Sequence, residues 1–321
     1  MDFTTLGRTG LKVSVAGLGC GGFSRIGQGT GKTEAESIAV VRAAIDEGVN
    51  FFDTAEEYKT EELLGKALRG VPREQVVIST KGFSRVGKEP RDPQEVVRSL
   101  DASLERLGLD YVDVYHLHGV PPWNYDHALK NVVPVLLKER DKGKFGHLGI
   151  TEVPPVDPAQ GMLMRAVQAD CWEVMMIAYH MLHQGCRTNV FPTTQAKGIG
   201  ILNMFAVRVL FSQPGRLREV VKALAARGEV PTELAEQENP LDFLIHEGGA
   251  HSIIDAAYRF CRHEAGTDVV LFGTGSPDHL KSNIASILSP PLPGEEVARL
   301  HTLFGALSGV GLDRPGSSAP V

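Results

Sequence analysis

A chain of 321 residues, 42% hydrophobic and 22% charged, has an ordinary globular composition and can bury a sizeable core without disulfides or a structural metal. Its net charge of -6 leaves no broad basic surface to neutralise phosphates, which excludes nucleic acid as an expected partner. No apolar run approaches the ~20 residues of a membrane helix. The opening MDFTTLGRTG lacks a leader pattern, and Cys20, Cys171, Cys186 and Cys261 show no CxxC spacing, so a reducing cytoplasm is expected.

Short β-branched runs alternate with longer helical patterns along the chain, the signature of parallel strands built from βαβ units. FTTLGRTGLKVS reads as a hairpin ahead of the first unit, placed to plug the floor of a barrel. Eight strands follow, at 13–19, 49–52, 75–80, 111–117, 145–150, 173–178, 198–202 and 268–272. Eight such units predict a closed (β/α)8 TIM barrel rather than an open sheet.

Two helix starts are well marked. Thr33 with Glu36 is a capping box, and the stripe Ile38, Val41, Ala44, Ile45 runs to Gly48. Asp92 caps a helix with Pro93 at its first position and Glu95 as the capping-box acid, ahead of Val96, Val97, Leu100, Leu104 and Leu107. Residues 207–250 carry Pro214, Pro231 and Pro240 and break the rhythm; they form an insertion after strand 7 that shapes the substrate pocket. Past Pro290 one more amphipathic helix is expected, then a mobile tail over 308–321, all within a single domain spanning 1–321.

Two glycine-rich stretches do not carry the nucleotide motifs they superficially match. Gly17, Gly19 and Gly22 have GxGxxG spacing, but a polar loop separates them from the next helix and Asp53 lies too far along for the ribose acid. GQGTGKT at 27–33 has three residues between its outer glycines where a phosphate-binding loop needs four, so it reads as a flexible loop ending in the Thr33 cap.

Barrel chemistry sits at the C-terminal strand ends. Strand 2 runs into Asp53, strand 3 delivers Lys81 and strand 4 ends at His118, with Tyr58 in the loop after Asp53. These four residues suit proton transfer coupled to hydride transfer. Lys81 would lower the pKa of the Tyr58 phenol, Asp53 would hold the ammonium, and His118 would donate a hydrogen bond to a carbonyl oxygen as charge builds. Singly, each has a structural explanation: a helix cap for Asp53, a solvated Lys81, a packed Tyr58. Their convergence on one mouth favours the functional reading. His116 is a rival to His118, since a period of two places both on one strand face, but His118 is nearer the strand end.

A second site is Gly273-Thr274-Gly275-Ser276 before a helix opening at Pro277. Free backbone N–H groups and the helix dipole there would hold a phosphate, and barrels commonly bind phosphate after strands 7 and 8. The alternative is a plain Ser276 cap with glycines serving the turn.

The stretches VAGLGCGGF, VNFFDTAEEYKTEELLGKAL, VVISTKG, SLERLGLDYVDVYHLHG, KGKFGHLGIT and VVLFGTGSPDHLKSNIASI resemble the aldo-keto reductase superfamily over nearly the whole chain, and within it the branch holding aldose and galactose dehydrogenases. The resemblance implies a TIM barrel, an extended NADP(H) or NAD(H) across the strand ends, a small-molecule carbonyl or alcohol substrate, and a tetrad falling on Asp53, Tyr58, Lys81 and His118. It also implies coenzyme contacts from Cys20, Gly21, Thr151, Met176, Met204, Gly273, Thr274, Gly275, Ser276, His279 and Asn283. The chain departs from the family pattern at Lys59, where glycine commonly follows the tyrosine, and at Thr151-Glu152, where Ser-Asn meets the nicotinamide carboxamide. Met176 stands for a glutamine and Met204 for the stacking aromatic, a role open to Phe205. Gly273 and His279 replace the cations that hold a 2′-phosphate, so both coenzymes remain open, with His279, Lys281 and Ser276 still placed to meet that phosphate. Phe23 and Trp123 are candidate substrate walls, alongside Pro121. Two other readings stand: a non-catalytic nucleotide-binding subunit on the same barrel, and a metal-dependent hydrolase using His116 and His118, which lacks a carboxylate partner set.

Overall fold

The computed structural model describes residues 1–312. Its centre is a closed barrel of eight parallel strands, each paired with the next and the last with the first. The strands are β1 (Ala16–Gly19), β2 (Phe51–Asp53), β3 (Val77–Gly82), β4 (Val112–Leu117), β5 (Phe145–Thr151), β6 (Val174–Ala178), β7 (Gly200–Met204) and β8 (Val269–Phe272). All eight predicted strands are present, the first shortened from 13–19 to 16–19 because Val13 and Ser14 pair within the hairpin. The fold is the expected TIM barrel.

Side chains alternate between two cores along each strand, as a period of two requires. Phe51, Val77, Val114, Val174, Met176, Leu202 and Val269 point inward and fill the barrel together with Leu6 and Val13 of the N-terminal hairpin. The hairpin (Phe3–Thr5 with Lys12–Ser14) therefore closes the floor, and Arg8 fastens it by donating to the carbonyls of Asp170 and Lys197 at 2.7 and 3.0 Å. Leu18, Phe52, Ile78, Leu117, Ile150 and Val270 face outward and pack under the helices.

Helix α1 (Glu34–Asp46) has the predicted capping box, though Val40 is buried in place of the half-exposed Ile38 and Ile45. Short α2 (Glu61–Ala67) follows β2. In α3 (Pro93–Leu107) Asp92 accepts from the Gln94 N–H, but Glu95 does not close a box; it lies 3.5 Å from Arg98 and 3.8 Å from Arg91. Two neighbouring cations outcompete a single backbone donor for that carboxylate. The remaining barrel helices are α4 (Val133–Asp141), α5 (Gly161–Ala166), α6 (Phe191–Lys197), α7 (Ile253–Arg262) and α8 (Pro277–Leu288).

The insertion after β7 carries helices at Val209–Ser212, Arg216–Ala226 and Thr232–Glu236. An additional helix, Gly294–Phe304, follows α8. The expected mobile tail is corrected at its start: Leu312 is buried, Ser308 donates to the Pro158 carbonyl at 3.1 Å, and Gly311 packs on His180. Residues 313–321 of that tail lie outside the described residues. No helix among the described residues is long and apolar enough to cross a membrane.

The 27–33 loop also differs from its expectation. Residues Arg25–Thr30 form tight 3₁₀ turns with Ile26 and Gly27 buried, seated against the turn that follows β8. Arg25 and Ile26 both adopt positive φ, 44° and 52°, a conformation that costs a non-glycine residue roughly 1–2 kcal/mol each and is retained where packing over-determines it.

Candidate active site

Inward-facing residues at the C-terminal strand ends gather in one mouth. Asp53 closes β2 and Lys81 is the penultimate residue of β3, both buried. The Lys81 ammonium donates to Asp53 Oδ2 at 2.6 Å and to the Thr54 carbonyl at 2.7 Å, while Ser79 donates to Asp53 Oδ1 at 2.9 Å. Burial pushes the Asp53 carboxyl up, with Lys81 opposing it. Burial also works against the Lys81 charge, but Asp53 and Tyr58 outweigh it and the ammonium is held above its ordinary range.

Tyr58 ends a 3₁₀ turn, Glu56–Tyr58, after β2. That turn stops because Lys59 takes the left-handed conformation (φ 57°), which explains why glycine suits this place. The Tyr58 ring lies 4.8 Å from the Lys81 ammonium, and its hydroxyl is 3.5 Å from His118 Nε2, the outer edge of hydrogen-bond range. Gly21 makes this approach possible: a Cβ there would stand 2.5 Å from the ring. The expected lowering of the Tyr58 pKa is corrected, because burial pushes the phenol up and outweighs the opposing Lys81 charge. The resting hydroxyl is a proton donor.

His118 meets Tyr58 edge-on at 5.5 Å and stacks on Phe83 at 4.6 Å between centroids. Burial, then Lys81 and Arg85, hold the imidazole well below its usual range, so it is neutral. Its Nδ1 is buried without a partner among the described residues. A lone acceptor there is less costly than a lone N–H, which assigns the proton to Nε2, facing Tyr58. His116 lies one layer down in register with Lys81, fully buried against Gly149 and likewise neutral. No third metal-ligand side chain joins the two histidines among the described residues.

The sequence-predicted coenzyme residues divide by position. Thr151 closes β5 and accepts the Gly119 N–H at 2.6 Å. Met204 ends β7 partly exposed, whereas Met176 is buried inside the barrel with the floor cluster. Cys20 has its thiol in the outer core, buried, with Sγ 3.9 Å from the Leu18 carbonyl. Phe205 does not offer a free face on both sides, since the Arg208 guanidinium sits 3.8 Å from its ring centroid. Gly273, Ser276 and His279 line an open turn, where Ser276 caps α8 by accepting from the His279 N–H at 3.5 Å and Thr274 accepts the Ser276 N–H at 3.0 Å. Asn283 is half-exposed one turn further along α8. Lys281 lies 3.8 Å from Glu47. Phe23 and Trp123 are 46% and 49% exposed, available as walls. Phe83, Gly149 and Gln160 were not singled out from the sequence. Phe83 was findable, because a period of two from Lys81 puts it on the same face of the strand.

The turn after β8 leads into the N-terminus of α8, where the sequence places a phosphate site. Gly273 is exposed, with the Gly19 and Gly21 carbonyls and the Ser24 hydroxyl 3.6–4.0 Å from where a Cβ would stand, and the twelve-residue α8 begins at Pro277. The cluster at the strand ends and the turn before α8 both lie on the C-terminal face of the barrel, where barrel enzymes carry their chemistry. A family model described as "Aldo/keto reductase family" matches residues 17–303, and the chain belongs to that family, whose coenzyme is NAD(P)H. It is 33% identical over 210 residues to L-galactose dehydrogenase of Arabidopsis thaliana, a match spanning 63% of this chain and 64% of that relative. The solved holo form of aldo-keto reductase AKR11C1 from Bacillus halodurans superposes with a TM-score of 0.73 at 24% identity, covering 98% of this chain and 100% of that one. Its apo form gives 0.70 at 20% identity, with the same coverage.

Proposed function

We propose that this protein is an NAD(P)-dependent oxidoreductase that interconverts a carbonyl and an alcohol, with an aldose as the substrate class and small aldehydes or ketones as alternatives. The observation that carries the reading is the buried Asp53–Lys81 pair beneath a protonated Tyr58 with neutral His118 beside it. NAD(P)H, when bound, supplies the hydride.

In reduction Tyr58 donates its proton to the carbonyl oxygen as negative charge develops there. Lys81, 4.8 Å from the ring, stabilises the phenolate that remains. Asp53 and the Thr54 carbonyl fix the ammonium, so no reorganisation accompanies the transfer. His118 donates from Nε2 to the same carbonyl oxygen, and Phe83 fixes the plane of its ring. In oxidation the order reverses and Tyr58 acts as base. Thr151, the 273–276 turn and the start of α8 would hold the coenzyme. The likeness to a galactose dehydrogenase supports an aldose, and the exposed Phe23 and Trp123 rings suit the apolar faces of a sugar.

The test is a fluorescence titration of the protein with NADPH and NADH, followed by a sugar and carbonyl panel. Coenzyme binding with turnover of an aldose is expected. Binding without turnover of any carbonyl would favour the non-catalytic reading, for which Met176 and Glu152 at the usual nicotinamide contacts speak. Failure to bind either coenzyme would overturn both.

A further inference from the structure

Where the family's carboxamide-binding asparagine stands, this chain has Glu152, and the carboxyl is not in the mouth. The ladder between β5 and β6 ends at the pair Thr151 and Met176. Beyond it the strand ends separate, and side chains take over from backbone. Glu152 Oε1 accepts the Ala178 N–H at 2.7 Å, and Gln160 Nε2 donates to the Ala178 carbonyl at 3.4 Å. Both polar groups of the last residue of β6 are thus held by two buried side chains, 3% and 0% exposed.

We infer that Glu152 is a positioning residue that works as a neutral carboxylic acid: with Gln160 it clips Ala178 and sets the opening between β5 and β6 at the nicotinamide side of the mouth, and its ionisation loosens that clip. The inference rests on the coenzyme reading above for its consequence, not for the clip itself. Glu152 Oε2 and Gln160 Oε1 are buried and make no geometrically sound hydrogen bond among the described residues; the Ala178 N–H and the nearby Gln160 side chain favour the charged carboxyl, but burial outweighs both. A proton on Glu152 supplies one donor to this acceptor-rich spot, whereas a charge adds to the excess. The ionisable groups bearing on the carboxyl are Asp157, from the turn before α5, and the Cys186 thiol, and neither offsets a negative charge. Burial, with Asp157 adding to it, pushes Glu152 up to about 8. An ionised Glu152 would draw water between the strand ends, because no cation among the described residues is placed to meet it.

The experiment compares the full-length protein with Glu152→Gln, which keeps the acceptor and cannot ionise. Between the ordinary carboxyl pKa of 4.5 and about 8 the native state holds a proton that the unfolded chain has lost, so wild-type stability falls with rising pH across that window and is level above it. The Tm advantage of the glutamine variant should therefore grow from about pH 5 to about pH 8 and then stay constant. Wild-type affinity for NADPH or NADH should weaken by up to about tenfold per pH unit above about pH 8, with no such loss in the variant. Parallel profiles in wild type and variant would overturn the inference. If the variant does not fold, hydrogen exchange at the Ala178 amide of wild type decides it: exchange faster than the intrinsic pH dependence above about pH 8 supports the clip, and unchanged protection contradicts it. Failure of every form to bind coenzyme at any pH would sink the coenzyme reading, while the melting series would still judge the carboxyl.

Discussion

The Lys81 ammonium lies 2.6 Å from the Asp53 carboxylate, and both side chains are buried. A buried pair of this kind is expensive to half-dismantle. Lys81→Met or Asp53→Leu leaves an uncompensated charge and should cost about 3–5 kcal/mol, whereas the double variant should recover much of the loss. Denaturant melts of the three variants check this. Turnover should be abolished in all three, which separates the catalytic role of Lys81 from its cost in stability.

Gly21 faces the Tyr58 ring so closely that a methyl group would stand 2.5 Å from it. Gly21→Ala must push the phenol away from Lys81 and His118. A misplacement of about 1 Å can cost roughly a hundredfold in rate, so kcat should fall by about that factor while the fold, read by circular dichroism, is kept. An unchanged kcat would show that the position of the ring is not critical.

Because burial holds the Tyr58 phenol above its ordinary value of 10 in the free protein, the acid form persists through neutral pH and beyond. Reductive turnover at saturating coenzyme should be flat with respect to this group from about pH 6 to about pH 9, and oxidation, which needs the phenolate, should rise with pH. Rate profiles in both directions on wild type and Tyr58→Phe measure this. A reductive rate that falls through neutral pH because of Tyr58 would contradict the sign.

Much of this arrangement is legible in the sequence for a specific reason. Strand-end polar residues such as Asp53, Lys81 and His118 interrupt otherwise apolar runs, and the barrel rule then puts them in one place. The sign of the Tyr58 shift was not legible, because it depends on how far the phenol is desolvated, and the packing of Gly21 against it is a tertiary contact. The same holds for the 25–30 loop. Its glycines look like solvent-exposed turn residues, yet Gly27 packs where a Cβ on Gly275 would fall. Glu152 was read as a lost contact, while its bond to Ala178 depends on two strands diverging at the mouth.

Phe83 stacks on His118 with the two rings 13° from parallel. Phe83→Ala removes the surface that fixes the imidazole plane and should reduce kcat about tenfold, with coenzyme affinity unchanged. Titration and steady-state kinetics on the same preparation separate the two effects. Phe83→Leu, which still packs, should lose less.

A single-turnover reaction with reduced coenzyme deuterated at the reactive nicotinamide carbon, run on wild type and Tyr58→Phe, tests the central claim most directly. Wild type should deliver deuterium to the former carbonyl carbon of an aldose or small aldehyde, and the variant should bind the labelled coenzyme equally well yet transfer it at least about a hundredfold more slowly. Product formed without label, or transfer at the wild-type rate in the variant, would contradict the assignment of this mouth to hydride chemistry with Tyr58 as its proton donor.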